Sequence, residues 1–144
     1  MRATAQNDSV NEANFPIALR VLVADDHRDT GQTLGILLRS EGYEVRIAQN
    51  GAQALSEAAQ FHPDVALLDI EMPCRNGFEV ADELRRLGTE CPVLIALTSQ
   101  TSSDDKRMAD VSGFHHFMEK PYDAQALLLL LASLLPENRM VGVP

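Results

Sequence analysis

Two hydrophobic periods alternate along this 144-residue chain. Residues 21–24, 65–68 and 93–97 are continuously apolar, the pattern of strands buried on both faces. Tyr43-Glu44-Val45-Arg46-Ile47 alternates instead, and so does the stretch around Phe114 to Glu119. Alternation marks a strand with one wet face, so these two belong at the edges of a sheet. Helical spacing fills the gaps. The first helix covers 28–40 with Leu34, Leu37 and Leu38 on one face and Gly42 as its stop. The second covers 51–60 with Ala52, Leu55, Ala58 and Ala59 inward. The third starts after Asn76-Gly77 and buries Phe78, Ala81 and Leu84. A weakly apolar fourth lies around 104–111, and a fifth runs from Asp123 to Leu135.

Strand and helix in strict alternation give an α/β fold built from βαβ units. With the first, third and fourth strands central, right-handed crossovers predict the order 2-1-3-4-5. The expected architecture is a doubly wound, five-stranded parallel sheet with five helices. Its winding reverses between the first and third strands, and ligands bind outside the carboxyl ends of strands at such a point. Asp25 and Asp26 directly follow the first strand, and Asp69 follows the third. Residues 1–16, MRATAQNDSVNEANFP, are polar and aperiodic and read as a flexible tail. The domain is expected over 17–136, with a C-terminal tail over 137–144.

The net charge of −9 opposes binding to nucleic acid or an anionic membrane. Met1-Arg2-Ala3 opens no apolar signal segment, which points to the cytoplasm. Cys74 and Cys91 read as free thiols, and no Cys/His cluster suggests zinc. Three carboxylates at one rim repel each other unless a cation offsets them. Oxygen ligands suit Mg²⁺; calcium wants more of them, and His27 is the only nearby nitrogen. Thr98 ends the fourth strand, and Lys120 follows the fifth, so both should reach the same rim. A hydroxyl, an ammonium, a metal and an aspartate are the parts that hold and accept a phosphoryl group. Taken singly, each residue has a plainer reading: Asp25 as a helix N-cap, Thr98 as a strand-end hydroxyl, Lys120 as a surface charge, Phe117 as core. The joint pattern favours a site.

Four fragments then resemble the receiver domains of two-component response regulators. They are Val21-Leu22-Val23-Ala24-Asp25-Asp26, Leu67-Leu68-Asp69-Ile70-Glu71-Met72-Pro73, Ala96-Leu97-Thr98-Ser99 and Glu119-Lys120-Pro121-Tyr122. The resemblance covers about 18–136 and implies the flavodoxin-like fold of that family. It implies that Asp69 is the phosphoacceptor. Asp26 and Asp69 would bind Mg²⁺ (or Mn²⁺) directly, with the main-chain carbonyl of Glu71, and Asp25 mainly through water. Thr98 would be the switch hydroxyl, Lys120 would pair with the phosphoryl group, and the Phe117 rotamer would follow Thr98. A cis peptide is expected before Pro121. Glu71 and Gln100 would tune the lifetime of the phosphorylated state.

The implied partners are a histidine kinase or histidine phosphotransfer protein, and a downstream protein. Only PENRMVGVP follows Leu135, so output is expected through a partner and not a DNA-binding domain. Residues 124–136 carry no charge and include Leu127, Leu128, Leu129, Leu130 and Leu131. Five consecutive positions point all round a helix, which reads either as a wide core-facing stripe with one stray leucine or as a docking or homodimer surface. The segment is too short to span a membrane. His27, His115 and His116 read as surface or edge residues without a catalytic role. A phosphatase of the haloacid-dehalogenase class is the alternative, since Asp69-Ile70-Glu71 echoes an Asp-x-Asp nucleophile motif. Against it, the second acid is Glu, the motif lies mid-chain, and a cap has no room. A flavin-binding protein of the same topology is weaker: the chain has no Trp, two Tyr and no Ser/Thr-rich phosphate loop.

Overall fold

The computed structural model describes residues 19–98 and 113–134. Leu19–Tyr122 forms one compact unit, and the last helix belongs to a second. The elements of the first unit are β1 (Arg20–Ala24), α1 (Arg28–Ser40), β2 (Glu44–Ala48), α2 (Gly51–Phe61), β3 (Val65–Asp69), α3 (Gly77–Arg85), a 3₁₀ turn (Gly88–Glu90), β4 (Val93–Thr98) and β5 (His116–Glu119). All pairings are parallel, and the order is β2-β1-β3-β4-β5, as the apolar runs require. The described residues hold four α-helices; the fourth helix expected around 104–111 lies outside them.

Burial explains the order. Val21, Leu22, Val23 and Ala24 of β1 are fully buried, and every residue of β3 is buried. Apolar side chains gain from both faces of a central strand, which is why these runs lack polar interruptions. Leu22, Ala24, Ala66, Leu68, Leu94 and Ala96 form one core layer with Ala54 and Ala58 of α2 and Val80, Ala81 and Leu84 of α3. The opposite face carries α1, whose Gly31 and Gly35 lie against Ile47. Edge strand β2 alternates exposed and buried residues, and β5 is only half-covered. His115 secures the entry to β5: Leu94 N–H donates to its Nδ1 at 2.9 Å, and its own N–H donates to the Leu94 carbonyl at 2.8 Å.

Two helix faces differ from the sequence expectation. In α2 the buried residues are Gly51, Ala54, Ala58 and Phe61, while Ala52 and Ala59 are exposed and Leu55 is half-buried. The cause lies at both ends of the helix. Gly51 is pressed against the loop after β3, and Phe61 is buried beneath the guanidinium groups of Arg20 and Arg46, at 6.0 and 5.1 Å from its ring centre. In α3 the deep positions are Val80, Ala81 and Leu84. Phe78 is half-buried and meets Phe114 edge-on, ring centres 6.3 Å apart.

The last helix, α4 (Ala124–Ser133), starts from Asp123, whose side chain accepts from Gln125 N–H. Leu127 and Leu131 are fully buried, one turn apart, and Leu129 is 65% exposed. The leucine run therefore exceeds what one buried stripe takes up. No described helix is long and apolar enough to cross a membrane.

Gly51 generates the first prediction. A Cβ built there falls 2.0 Å from the Arg75 carbonyl oxygen and 2.4 Å from the Arg75 Cβ. Backbone cannot swing aside as a flexible side-chain tip can. Gly51→Ala gains about 1 kcal/mol of helix propensity and loses more to overpacking, typically ~1–3 kcal/mol. Urea denaturation should show net destabilisation; an unchanged or raised midpoint would disprove the close approach.

Candidate functional site

The rim at the carboxyl ends of β1, β3, β4 and β5 is set by strand register. Ala24 pairs with Leu68, so Asp25 stands level with Asp69. Asp69 pairs with Leu97, and Thr98 with Glu119, so Thr98 and Lys120 follow at the same height on the next two strands. Backbone bonds hold each strand exit: Asp25 N–H to Ala48 O at 3.0 Å, Ile70 N–H to Leu97 O at 3.1 Å, Lys120 N–H to Thr98 O at 2.7 Å. The peptide between Lys120 and Pro121 is cis, as expected.

Lys120 joins two of the carboxylates. Its Nζ donates to Asp69 Oδ2 at 3.0 Å and to Asp25 Oδ2 at 3.3 Å. Asp25 and Asp69 are 1% and 6% exposed, so these charges interact through little water. Burial pushes the Asp69 carboxyl above its ordinary range; the hydrogen bond and charge of Lys120 pull against it without cancelling it. Burial also disfavours the Lys120 ammonium, but Asp69 and Asp25 outweigh that and hold it above its ordinary value.

Asp25 is not a helix N-cap. That position belongs to His27, which makes no side-chain cap bond. Asp25 Oδ1 instead accepts from His27 N–H at 2.8 Å, a local turn that fixes the carboxylate at the rim. Asp26, 33% exposed at its side chain, faces out beside it. The Thr98 side chain is fully buried and its hydroxyl donates to the Met118 carbonyl at 3.4 Å, a long bond. Phe117, on β5 opposite Ala96, is 38% exposed. Glu71 N–H donates to Asp69 Oδ1 at 3.1 Å, and the Glu71 side chain is exposed. A groove of about 490 Å³, walled by Asp26, Glu71, Met72 and Phe78 among others, opens beside this point. Gln100 lies outside the described residues.

The loop 70–76 that carries Glu71 is tightly set. Gly77 N–H returns to Ile70 O at 3.0 Å, and a Cβ on Gly77 would stand 2.6 Å from the Asp69 carbonyl oxygen. Asn76 then caps α3 in a reciprocal capping box with Glu79.

Two neighbours of the rim were given no role by the sequence. Burial raises the Tyr122 phenol above its ordinary pKa, and the Asp25 charge adds to that, so it stands as a neutral hydroxyl that feels the charge of the acidic cluster. His27 places Nδ1 3.3 Å from Asp25 Oδ1 and 3.2 Å from Asp26 Oδ1. A residue directly after an Asp pair and opening a helix must lie on the same rim, and that adjacency was the available signal.

Asp25, Asp26, His27 and Asp69 each bring one ligand atom within 4.8 Å of the others. The three carboxylates outnumber the single ammonium of Lys120, and oxygen donors of this kind suit a hard divalent cation. The donor set fits a metal.

Comparison with known proteins agrees with this geometry. The family model "Response regulator receiver domain" matches residues 21–132. The chain belongs to that family. A receiver domain is a signalling module of phosphorelays, so the strand order and acidic rim have a common purpose. Among curated relatives, the response regulator MprA of Mycobacterium sp. (strain KMS) is 35% identical over 117 residues, 81% of this chain and 50% of the relative. The chain thus spans about half the length of such relatives. Among solved structures, the chemotaxis response regulator CheY4 of Vibrio cholerae is 30% identical with a TM-score of 0.74, covering 83% of this chain and 100% of that one. The receiver domain of the Francisella response regulator 1452 is 26% identical with a TM-score of 0.74, covering 81% and 96%.

The Asp69 shift has a sign that can be tested. A carboxyl whose folded pKa is raised contributes stability below its ordinary range, about pH 3.9, and loses it as pH rises through the folded value. In Asp69→Asn the ionisation cost is gone. Without divalent ions, the variant should melt higher than wild type at pH 7, and the gap should close as pH falls below the ordinary aspartate range. A variant less stable at pH 7 would mean that the Lys120 pairing outweighs burial.

Proposed function

We propose that this receiver domain takes a phosphoryl group from a phosphohistidine onto Asp69. The observation that carries the reading is Asp69 itself: a nearly buried carboxylate with Lys120 bonded to Oδ2 and the Glu71 N–H bonded to Oδ1. The donor would be a histidine kinase or histidine phosphotransfer protein. An Asp69 carboxylate oxygen attacks phosphorus, the P–N bond to the donor imidazole breaks, and the imidazole leaves with its electron pair. Lys120 faces the gathering negative charge on the phosphoryl oxygens. Asp26, Asp69 and the Glu71 main-chain carbonyl would hold Mg²⁺ (or Mn²⁺), with Asp25 acting through water. Bound there, the ion supplies charge neutralisation for the phosphoryl group. Hydrolysis of the aspartyl phosphate at the same rim resets the module.

Output follows from Thr98. Its hydroxyl sits on the Met118 carbonyl by a long bond that is cheap to exchange. A phosphoryl oxygen is a stronger acceptor, so Thr98 turns toward it and Phe117 repacks. The altered surface is then read by another protein or domain, in the cytoplasm. A turnover enzyme of the haloacid-dehalogenase class is the weaker reading: Glu71, the second acid of that motif, is exposed.

Incubation with Mg²⁺ and acetyl phosphate should add one phosphoryl group by mass spectrometry, with the lability to base and to hydroxylamine of an acyl phosphate. The adduct should vanish in Asp69→Asn and on chelation of the metal. No adduct on wild type, or an unchanged one on the variant, would refute the assignment. The exposed Leu129 extends the proposal to a homodimer through α4. Sedimentation should show dimer growing with concentration; a strict monomer, with or without a phosphoryl mimic, would refute that part.

A further inference from the structure

The entry to β5 hangs on one ring. The β4–β5 ladder starts at Ile95 and His116. One residue earlier, Leu94 turns both of its main-chain groups toward His115. The Leu94 N–H donates to His115 Nδ1 at 2.9 Å, and the Leu94 carbonyl accepts from the His115 N–H at 2.8 Å. The ring nitrogen thus stands where a carbonyl of a longer strand would accept. Leu94 is fully buried and His115 is exposed, so an inner donor depends on a side chain that water reaches. An imidazole nitrogen accepts only while it carries no proton, so this bond requires the neutral ring with its hydrogen on Nε2. A second proton turns Nδ1 into a donor facing a donor. The Leu94 N–H then loses this partner, and a buried unpaired donor is costly. Histidine ordinarily titrates near about pH 6.5.

We propose that His115 is a pH-sensitive latch on the edge strand: neutral, it ties the start of β5 to β4, and protonated, it lets that start go. What the bond contributes is present above histidine's ordinary range and is lost as pH falls through it. Phe117 lies two residues on, and Met118, whose carbonyl holds the Thr98 hydroxyl, lies three. Acid would loosen β5 from its entry, whereas the exchange at Thr98 acts near its exit. The latch needs only the β4–β5 edge and does not rest on phosphoryl chemistry at Asp69. Other titratable groups on the elements that meet here are few. Helix α3 brings Arg85, whose Nε lies 2.8 Å from where a Gly113 Cβ would stand and whose guanidinium bonds Asp82 at 2.9 Å. The turn before β4 brings Glu90 and Cys91, burial pushing the thiol above its ordinary range. Strand β4 has no Asp, Glu, Lys, Arg or His, and β5 adds His116 and Glu119. Of these, His116 is a second histidine, so the test has to separate the two.

His115→Asn separates them. Its Oδ1 stands as many bonds from Cα as Nδ1 does, accepts likewise and takes up no proton, while His116 stays in place. His115→Ala removes the acceptor. Hydrogen exchange of the Leu94 amide is followed by NMR in the full chain at about pH 7.5 and about pH 5.5, either side of histidine's ordinary range. Each rate is divided into the intrinsic rate at its own pH to give a protection factor. Wild-type protection should fall roughly fivefold on acidification, the scale of one net hydrogen bond. The Asn variant should hold its protection within about twofold, and the Ala variant should be low at both pH values. Unchanged wild-type protection overturns the proposal, because the ring is then a clasp without a switch. An equal fall in the Asn variant overturns it as well, because His116 or the fold at large is then responsible. The Asn comparison decides even if the Ala variant fails to fold. Either failure leaves phosphoryl transfer to Asp69 standing, since that is read by its own adduct.

Discussion

Lys120 reaches across the carboxyl end of the sheet to Asp69 at 3.0 Å and Asp25 at 3.3 Å. Much of the structure near the rim answers to that contact. The register of β1 and β3 puts the two carboxylates level, and the packing around them removes most of the water. Each would otherwise bear the other's charge in a poorly screened setting. One ammonium offsets one of the two. Asp26 stands beside them and adds a third negative charge. The remaining excess is stable in the fold only because the sheet, and not the carboxylates, decides where these residues lie. A fold held mainly by buried Val, Leu, Ile and Ala can carry such a cost at its edge.

That burden explains the rigidity of the surrounding backbone. Gly51 and Gly77 each admit main chain where a Cβ would not fit: the Arg75 carbonyl at the first, the Asp69 carbonyl at the second. The loop between β3 and α3 is therefore held from both sides, by α2 and by the end of its own strand. Glu71 is on that loop, and its N–H is one of the groups that hold Asp69. Core packing and site geometry thus meet in two glycines. Helix α2 turns Gly51, Ala54, Ala58 and Phe61 inward for the same reason.

The sheet was legible because double-sided burial writes itself directly as unbroken apolar runs. The rim followed, since a polar residue ending such a run has one place to go. The structure brings Asp25, Asp26, Asp69, Thr98 and Lys120 to that rim, where the strand ends put them. The face of α2 was not legible. Ala52, Ala54, Ala58 and Ala59 are apolar on every side of the helix, so periodicity could not choose among them, and a backbone contact at Gly51 did. His27 and Tyr122 were near the site in sequence but were given no role, for a different reason. Both lie just past a strand end, where chain direction depends on turn geometry that a hydrophobic pattern does not record. Asp25 Oδ1 accepting the His27 N–H makes one of those turns, and it rules out the N-cap role that sequence allowed for Asp25.

The bonds at the rim fall into two groups, and the division says where movement belongs. Those fixing the strand exits are main-chain bonds of 2.7 to 3.1 Å: Asp25 to Ala48, Ile70 to Leu97, Lys120 to Thr98. Those made by side chains at the rim include longer ones, Thr98 to Met118 at 3.4 Å and Lys120 to Asp25 at 3.3 Å. The anion proposed for Asp69 would compete with the second group and leave the first untouched. Lys120 can trade Asp25 for the newcomer without moving its backbone, and Thr98 can trade a carbonyl for a better acceptor. The main chain of the rim is thus the fixed part, and the Thr98 and Lys120 side chains are the part free to exchange partners. Because β5 is the half-covered edge strand, a rearrangement beginning in the buried Thr98 hydroxyl would emerge at the surface within one strand's width.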